Sequence, residues 1–301
     1  MISNEDLLFF QVLAASSSLA EAARKLNVTP PAVTQRLRGL ETRVGVKLVE
    51  RTSRGLNLTD EGELIAEEGA AIILALDELS ERLSLRTNEV RGNLRVAAPF
   101  GFGRHYVAPV VQAFAAAHPG VTVTLDLFEN PVRQLAYSWD LIIHIGALGE
   151  SDRLVTTLAQ NRRIACAAPA YLAAQPHLRH PRDLQAHRCL ALRENNEDVT
   201  LWRFSRAAGQ PVTVRIRPVM SSNDGEIVRE WALLGSGIMV RSEWDVADDL
   251  AAGRLVEVLP GWSCPGADVV ALLNTRHGRS RRSSAFIEAL RASLVGPPWR
   301  R

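Results

Sequence analysis

Residues 18–62 read SLAEAARKLNVTPPAVTQRLRGLETRVGVKLVERTSRGLNLTDEG, and the alternation of polar and apolar positions inside that run decides the fold. Ser18 and Glu21 stand at the S-x-x-E spacing of a capping box, which starts a helix near Leu19. Leu19, Ala22, Ala23 and Leu26 recur every three or four residues and form its apolar face. Asn27 suits the left-handed end of that helix, and Val28 is the apolar residue of the turn. Thr29 caps a second helix, with Pro30 and Pro31 where a missing N–H does no harm. Along it Val33, Leu37, Leu40 and Val44 point inward, and Thr34, Gln35, Arg36 and Arg38 point outward. Ala22, Ala23 and Ala32 let the two helices approach closely. This is the pattern of a helix-turn-helix, whose second helix meets base edges in the major groove. The same spacing also fits an ordinary pair of packed helices with a solvated polar face.

The flanks favour the first of these. Ser3 and Asp6 start a preceding helix whose Leu7, Leu8, Phe10, Val12 and Leu13 supply a third packing face. Downstream, Lys47-Leu48-Val49-Glu50-Arg51, a turn at residues 52–55 and Leu56-Asn57-Leu58-Thr59 read as a short hairpin with Arg51, Ser53 and Arg54 near its tip. Three helices and a basic hairpin make a winged helix-turn-helix. The candidate DNA-reading set is Thr29, Pro30, Pro31, Thr34, Gln35, Arg36 and Arg38 on the helix, and Arg51, Ser53 and Arg54 on the wing. Pro30 and Thr34 can touch a thymine methyl, Gln35 can pair with adenine, and the arginines can take a guanine or a phosphate.

The segment resembles the N-terminal domain of LysR-type transcriptional regulators. The matching residues are A-A-x-x-L at 22–26, Pro31-Ala32-Val33-Thr34, Leu40-Glu41, Gly45-Val46-x-Leu48, Glu50-Arg51 and Leu58-Thr59-x-x-Gly62. The chain departs from the family at Pro30, where glutamine is frequent. The resemblance therefore shifts base reading onto Thr34, Gln35 and the wing.

With 301 residues the chain is too long for one winged helix and fits two or three domains. Its 47% apolar content is ample for packed cores. No basic segment leads into an apolar run, no apolar run is long enough for a bilayer, and three cysteines, Cys166, Cys189 and Cys264, suggest neither a disulfide framework nor a metal site. The expectation is a reduced, cytoplasmic protein without a membrane partner, metal or cofactor. Net charge is only +2, but residues 1–58 carry eight Lys/Arg against five Asp/Glu, while residues 59–90 carry two against nine. The acidic segment should point away from DNA, and the modest basic excess calls for a dimer on the duplex.

That acidic segment, residues 59–90, reads as one long helix capped by Thr59. Ile65, Ile72 and Leu79 are spaced by seven, and Leu76 and Leu83 add the second heptad position, which makes a seam for a partner helix. A single amphipathic helix packed on its own domain is the alternative. The resemblance implies pairing through this helix into homodimers, assembly of dimers into homotetramers, and RNA polymerase as a partner.

After the break at Arg91-Gly92-Asn93 the chain alternates strands (residues 94–98, 121–127, 141–145, 163–168, 190–192, 212–217, 237–240, 255–258 and 269–273) with helices (106–117, 132–137, 170–174, 224–234, 246–251 and 282–294). Such alternation predicts an α/β class with parallel sheets. The resemblance implies a two-lobed, type 2 periplasmic-binding-protein-like domain crossed twice by the chain, near residues 161–164 and 264–269. It covers nearly the whole chain, through His118-Pro119-Gly120-Val121, Trp139-Asp140-Leu141 and Leu234-Gly235-Ser236-Gly237-Ile238. The expected domains are 1–58 (winged helix-turn-helix), 59–90 (linker), 91–163 with 264–301 (first lobe) and 164–263 (second lobe).

Open α/β sheets bind ligands beyond the carboxyl ends of their strands, at helix N-termini. Three predicted loops fall there: Phe100-Gly101-Phe102-Gly103 after Pro99, Glu129-Asn130 with Ile145-Gly146-Ala147, and Ser221-Ser222-Asn223-Asp224. Tight turns and a plain helix cap are the simpler roles for the glycines and for Ser222 and Asn223. The run Cys189-Leu190-Ala191-Leu192-Arg193-Glu194-Asn195, with Trp202, is similar to a subset of the family that regulates use of hydroxy-dicarboxylates such as malate and tartrate. There Arg193 could clamp a carboxylate or pair with a neighbouring acid. The candidate effector set is Phe100, Gly101, Phe102, Gly103, Asn130, Gly146, Arg193, Ser222 and Asn223.

Enzyme classes find no support: G-x-S-x-G, a phosphate-loop lysine motif and H-x-x-x-H are missing, and the G-x-G at 101–103 lacks its third glycine. His144 lies in an apolar strand and reads as a hydrogen-bonded core histidine. The expectation is therefore a DNA-binding regulator controlled by a small organic anion. The rivals are a solute-binding protein, a redox sensor using Cys166 and Cys189, and a constitutive DNA binder.

Overall fold

A computed structural model describes the chain apart from residues 27, 53–54, 88–89, 134–138, 149–153, 176, 195–197, 208, 274–279 and 301, and gives backbone alone at 51, 52, 55, 74, 77, 78, 80–87 and 133. It has two compact units, Met1–Glu89 and Val90–Arg301.

The first unit holds α1 (Asn4–Ala14), α2 (Leu19–Lys25), α3 (Pro30–Val44), the hairpin β1 (Val49–Thr52) and β2 (Gly55–Leu58), and α4 (Asp60–Thr87). Ser3 and Asp6 form a complete capping box on α1. At α2 the box is split. The Ser18 hydroxyl accepts from the Glu21 amide, but the Glu21 carboxylate reaches past Ser18 to the amide and hydroxyl of Ser17. Thr29 is the N-cap of α3 without a side-chain capping bond, and its two prolines open the helix. Phe9, Phe10, Leu13, Ala22, Ala23, Val33, Leu37, Leu40 and Leu48 form the core, with Val44 and Ile65 packed against it. Two expectations change here. Phe9 replaces Leu8 on the buried face of α1, because Leu8 is exposed, and Ala32 is exposed rather than between helices. The hairpin pairs Val49 with Leu58 and Thr52 with Gly55. Gly62, in the first turn of α4, is required by a close approach: a Cβ there would lie 2.1 Å from the Leu48 carbonyl oxygen. The expected helix end at Asn27, and Asn88, lie outside the described residues.

The second unit is built on two five-stranded sheets. The first has the order β4 (Val121–Phe128), β3 (Gly92–Pro99), β5 (Leu141–Ile145), β14 (Val269–Leu273), β6 (Leu154–Ala159). The second has the order β11 (Pro218–Ser222), β8 (Cys189–Leu192), β12 (Ile238–Ser242), β7 (Arg163–Ala167), β13 (Val256–Glu257). A ribbon of β9 (Leu201–Phe204) and β10 (Val212–Arg215) stands beside it. Neither sheet is all-parallel, as the alternation had predicted. β3 is parallel to β4 and β5, whereas β14 is antiparallel to β5 and β6. β8 is parallel to β11 and β12, whereas β7 is antiparallel to β12 and β13. The antiparallel strands β14 and β7 stand next to the two places where the chain passes from one sheet to the other, between β6 and β7 and between β13 and β14.

Helices α6 (Ala108–Ala117) and α10 (Arg281–Ser293) belong to the first lobe, and α7 (Pro169–Ala173), α8 (Gly225–Leu233) and α9 (Glu243–Ala251) to the second. The predicted loop after Pro99 is instead helical: α5 (Phe100–Phe102) runs into a π-turn at Gly103–Val107. Phe102 is buried against Tyr106 (4.9 Å between ring centroids), Trp244 and Trp299. The helix expected over 132–137 is, in its described part, one turn of 3-10 helix at Pro131–Arg133.

Asn161 ties the two crossings together. Its side chain donates to the Ala267 carbonyl (2.8 Å), its amide donates to Asp268 (3.1 Å), and its carbonyl oxygen Oδ1 accepts from the Trp244 amide.

Candidate functional site

Two sites emerge, one in each unit. In the first, α3 presents its opening turns to solvent. Pro30, Pro31, Thr34, Gln35 and Arg38 line a shallow open depression on that face. The Thr34 hydroxyl donates to the Pro30 carbonyl (3.0 Å), and the residue is half-buried. Thr29, Pro30, Pro31, Gln35 and Arg38 are exposed. Arg36 is differently placed. It donates to the Glu5 carbonyl (3.0 Å) and its guanidinium lies 4.7 Å from the centre of the Phe9 ring, so it braces α1 against α3. The Arg51 side chain, Ser53 and Arg54 lie outside the described residues.

On α4 one face packs on α1 through Ile65, Ala66 and Gly69, with Gln11 donating to the Ala66 carbonyl. Ile65 is half-buried and packs against the core of its own unit. Leu64, Ile72, Leu76 and Leu79 are exposed, Ile72 by 50%. Leu83 lies where only the backbone is described.

The second site is a cleft between the two lobes. Pro99 ends β3, Phe128 ends β4, Ile145 ends β5, Leu192 ends β8 and Ser242 ends β12, and all five line it. The cleft is narrow and open to solvent, with a cavity volume of about 50 Å³. Polar contacts join the lobes across it, among them Arg104 with Asp224 at 3.5 Å. Asn223 donates to Glu129 (2.9 Å), and Glu226 accepts from Arg104 (2.8 Å) with His105 3.1 Å away. Glu194 also lines the cleft and pairs with Arg163 at 3.0 Å.

The expected effector residues divide. Phe100, Gly101 and Asn223 line the cleft. Phe102 and Gly103 do not: both are buried, Gly103 where a Cβ would strike the Leu127 side chain. Ser222 is buried and its hydroxyl accepts from the Asp224 amide (3.1 Å), a turn bond that precedes the α8 cap, which is Asp224 and not Ser222 or Asn223. Gly146 follows the cleft-lining Ile145 and donates to the Asp268 carbonyl. Asn130 is half-buried, and its side-chain oxygen has no hydrogen-bond partner among the described residues. The Arg193 side chain is exposed and outside the cleft lining, while its amide donates to the Ser222 carbonyl.

Sequence reading missed Arg241. It is the penultimate residue of β12, lines the cleft, is only 6% exposed, and its guanidinium pairs with Asp245 at 2.7 Å. A basic residue four positions before an acid on an otherwise apolar strand was the available signal. His144 also lines the cleft and is buried, with its Nε2 3.1 Å from the Ala147 carbonyl.

Burial pushes the thiols of Cys166, Cys189 and Cys264 up to about 12, so none is poised as a thiolate. Among the described residues no helix is long and apolar enough to cross a membrane, and no three His, Cys, Asp or Glu side chains gather to hold a metal ion.

The chain matches two family models, the bacterial regulatory helix-turn-helix protein of the lysR family over residues 4–63 and the LysR substrate binding domain over residues 87–295. It is 35% identical to the HTH-type transcriptional regulator DmlR of Escherichia coli over 95% of this chain and 92% of that protein. It is 32% identical to the HTH-type transcriptional activator TtdR of Escherichia coli over 96% of this chain and 92% of that one. The full-length structure of the Vibrio cholerae virulence activator AphB shares the fold, with a TM-score of 0.68, 24% identity and coverage of 96% and 98%. The chain belongs to the LysR family of transcriptional regulators, with a DNA-binding helix-turn-helix domain followed by an effector-binding domain.

Proposed function

We propose that this regulator is controlled by a small organic anion, of the hydroxy-dicarboxylate class, held between the two lobes of its effector-binding domain. The observation that carries this reading is the cleft itself. It gathers the carboxyl ends of strands from both sheets, with Arg241 in its lining and the N-termini of α5 and α8 at its walls. Closing the lobes on a ligand shifts a population between two arrangements of the effector domain, without any chemistry on the ligand.

The DNA-reading set is Pro30, Pro31, Thr34, Gln35 and Arg38 on α3, with Arg51, Ser53 and Arg54 of the hairpin beside it. Arg36 is assigned to packing instead, on its Glu5 and Phe9 contacts. Pairs of chains associate along α4, through Ile72, Leu76 and Leu79 of its exposed side and the heptad position of Leu83, and pairs of dimers form the tetramer. The protein acts in the cytoplasm, meets RNA polymerase at its promoters and catalyses no reaction.

Calorimetry on the full chain with malate, tartrate, benzoate and a neutral amino acid tests the effector assignment. Saturable binding of malate or tartrate, with weaker binding of the other two, is expected. If none binds, or if benzoate binds best, the hydroxy-dicarboxylate class is wrong.

A further inference from the structure

Arg241 is unusual in that it is buried, charged and incompletely engaged. Its Nε and Nη2 both go to one oxygen of Asp245, at 2.8 and 2.7 Å, and Nη1 makes no hydrogen bond to any described residue. Asp245 does not neutralise it alone, because the other Asp245 oxygen takes Arg229 at 3.2 Å. Arg229 continues to Asp249 at 3.8 Å, and Asp249 in turn binds Arg254 at 2.7 Å. Three guanidinium groups thus share two carboxylates, and Glu194 of the cleft lining adds a further negative charge near Arg241. Arg254 is largely exposed and keeps its water, so the unserved donor inside the cleft is Nη1 of the buried Arg241, which can take a further acceptor.

The first residue of α8 lies directly against this guanidinium. A Cβ on Gly225 would fall 2.1 Å from Nη2 and 2.6 Å from Nη1. Glycine at that position is therefore what allows the arginine to reach the opening turn of α8. The positive end of the helix dipole and the guanidinium converge on the same part of the cleft, where each on its own favours an anion. The other charged groups of the lining have the opposite sign: Glu129, Glu194 and Glu226. They accept hydrogen bonds from Asn223, Arg163 and Arg104 respectively, and a carboxylate has lone pairs for more than one donor. A bare dicarboxylate meets repulsion from them. A carboxylate with an O–H or N–H donor on its neighbouring carbon can face both kinds of wall.

Taking the cleft as the effector site, as proposed above, we infer that Arg241 holds the effector's carboxylate, that Gly225 makes room for it, and that the acidic wall selects carboxylates carrying an adjacent hydroxyl or ammonium donor. The shared chemistry is a 2-hydroxy or 2-amino acid, and the experiment separates the two.

The test is calorimetry on the full chain with malate, aspartate and succinate, which present the same four-carbon dicarboxylate with a hydroxyl, an ammonium or no donor. Malate or aspartate should bind about tenfold or more tighter than succinate. The one that wins identifies the donor. Arg241→Gln should weaken the preferred acid by about tenfold or more, and Gly225→Ala, which keeps the arginine but displaces it, should act in the same direction. Because removing Arg241 leaves Asp245 to Arg229 alone, circular dichroism checks the fold of that variant, and Gly225→Ala with the ligand series decides the matter if it is unfolded. Succinate within about twofold of malate and aspartate overturns the selecting wall. Unchanged affinity in folded Arg241→Gln or in Gly225→Ala overturns the anchor. If none of the three acids binds the parent chain, the anion reading of the cleft falls and this assignment falls with it.

Discussion

At the scale of single residues, the division of labour on α3 is set by what each side chain can reach. Gln35 and Arg38 are exposed, while Arg36 is spent on the Glu5 carbonyl and the Phe9 ring. Gln35→Ala should relax sequence preference by about 1–3 kcal/mol at one base position. Arg36→Ala should instead lower stability by about 1 kcal/mol, through a lost hydrogen bond and a lost cation–π contact. Competition binding with single-base variants of a selected site, alongside urea melts, separates the two, and equal effects of both substitutions on base preference would contradict the division. The helical period alone puts residue 36 on the outer face, and nothing local announces that the ring of Phe9 lies within reach. Arg241 escaped sequence reading for the same kind of reason. The run at residues 237–240 is legible as a strand, but only the fold carries it on to Arg241 and sets that residue in the cleft lining.

Glu21 gives a prediction about pH. Hydrogen bonds from Ser17, and the nearby Lys25, lower its carboxyl from 4.5 to about 2. A carboxylate with a depressed folded pKa contributes stability that is fully present above about pH 4.5 and is lost as the pH falls towards 2. Glu21→Gln should cost about 1 kcal/mol at neutral pH and nothing near pH 2. Urea midpoints for parent and variant that stay equally far apart at pH 7 and pH 2.5 would argue against a charged role for Glu21.

At the scale of elements, α4 is two-faced. Ile65, Ala66 and Gly69 pack on α1 and the unit's core, while Leu64, Ile72, Leu76 and Leu79 are exposed. A heptad rule applied from residue 65 merges these faces, since only the packing of α1 shows which positions are already used. Ile72→Asp should weaken self-association by about 2 kcal/mol or more by placing a charge among apolar side chains. Light scattering that gives an unchanged assembly for this variant would remove α4 as the pairing surface.

The strands that sequence patterning left out share one circumstance. β6 and β11 are edge strands and β9 belongs to a two-stranded ribbon. Edges need no continuous apolar run, and β11 even opens on Pro218, which an edge tolerates. Strands buried in the middle of the sheets, such as β5 with Leu141, Ile142 and Ile143, were legible because both of their faces are covered. The helix at 100–107 was hidden by its glycines. Gly103 is there for close packing on Leu127, which is indistinguishable in sequence from a turn glycine.

At the scale of the whole molecule, order along the chain was readable and strand polarity was not. The helix-turn-helix, the long helix and the α/β unit follow one another as their periodicities indicate. That both sheets are mixed depends on where the chain crosses between lobes, and those crossings are held by Asn161, Ala267 and Asp268, side chains and backbone distant in sequence. The lobes also meet through Asn223 with Glu129 and through Arg104 and His105 with Glu226, at the rim of the cleft where a ligand would enter. A ligand that binds one arrangement of these contacts better than another by about 1–3 kcal/mol is enough to alter the affinity of the DNA-binding unit.

The central claim is that one chain reads DNA and that an anion between its lobes changes the reading. The most direct measurement is a DNase I footprint of the full-length protein on a duplex selected from a random pool, taken with and without malate. A sequence-specific protected region whose extent or affinity changes with malate, and does not change in Arg241→Gln, is the expected result. A protected region identical in all three conditions, or protection without sequence preference, would contradict it.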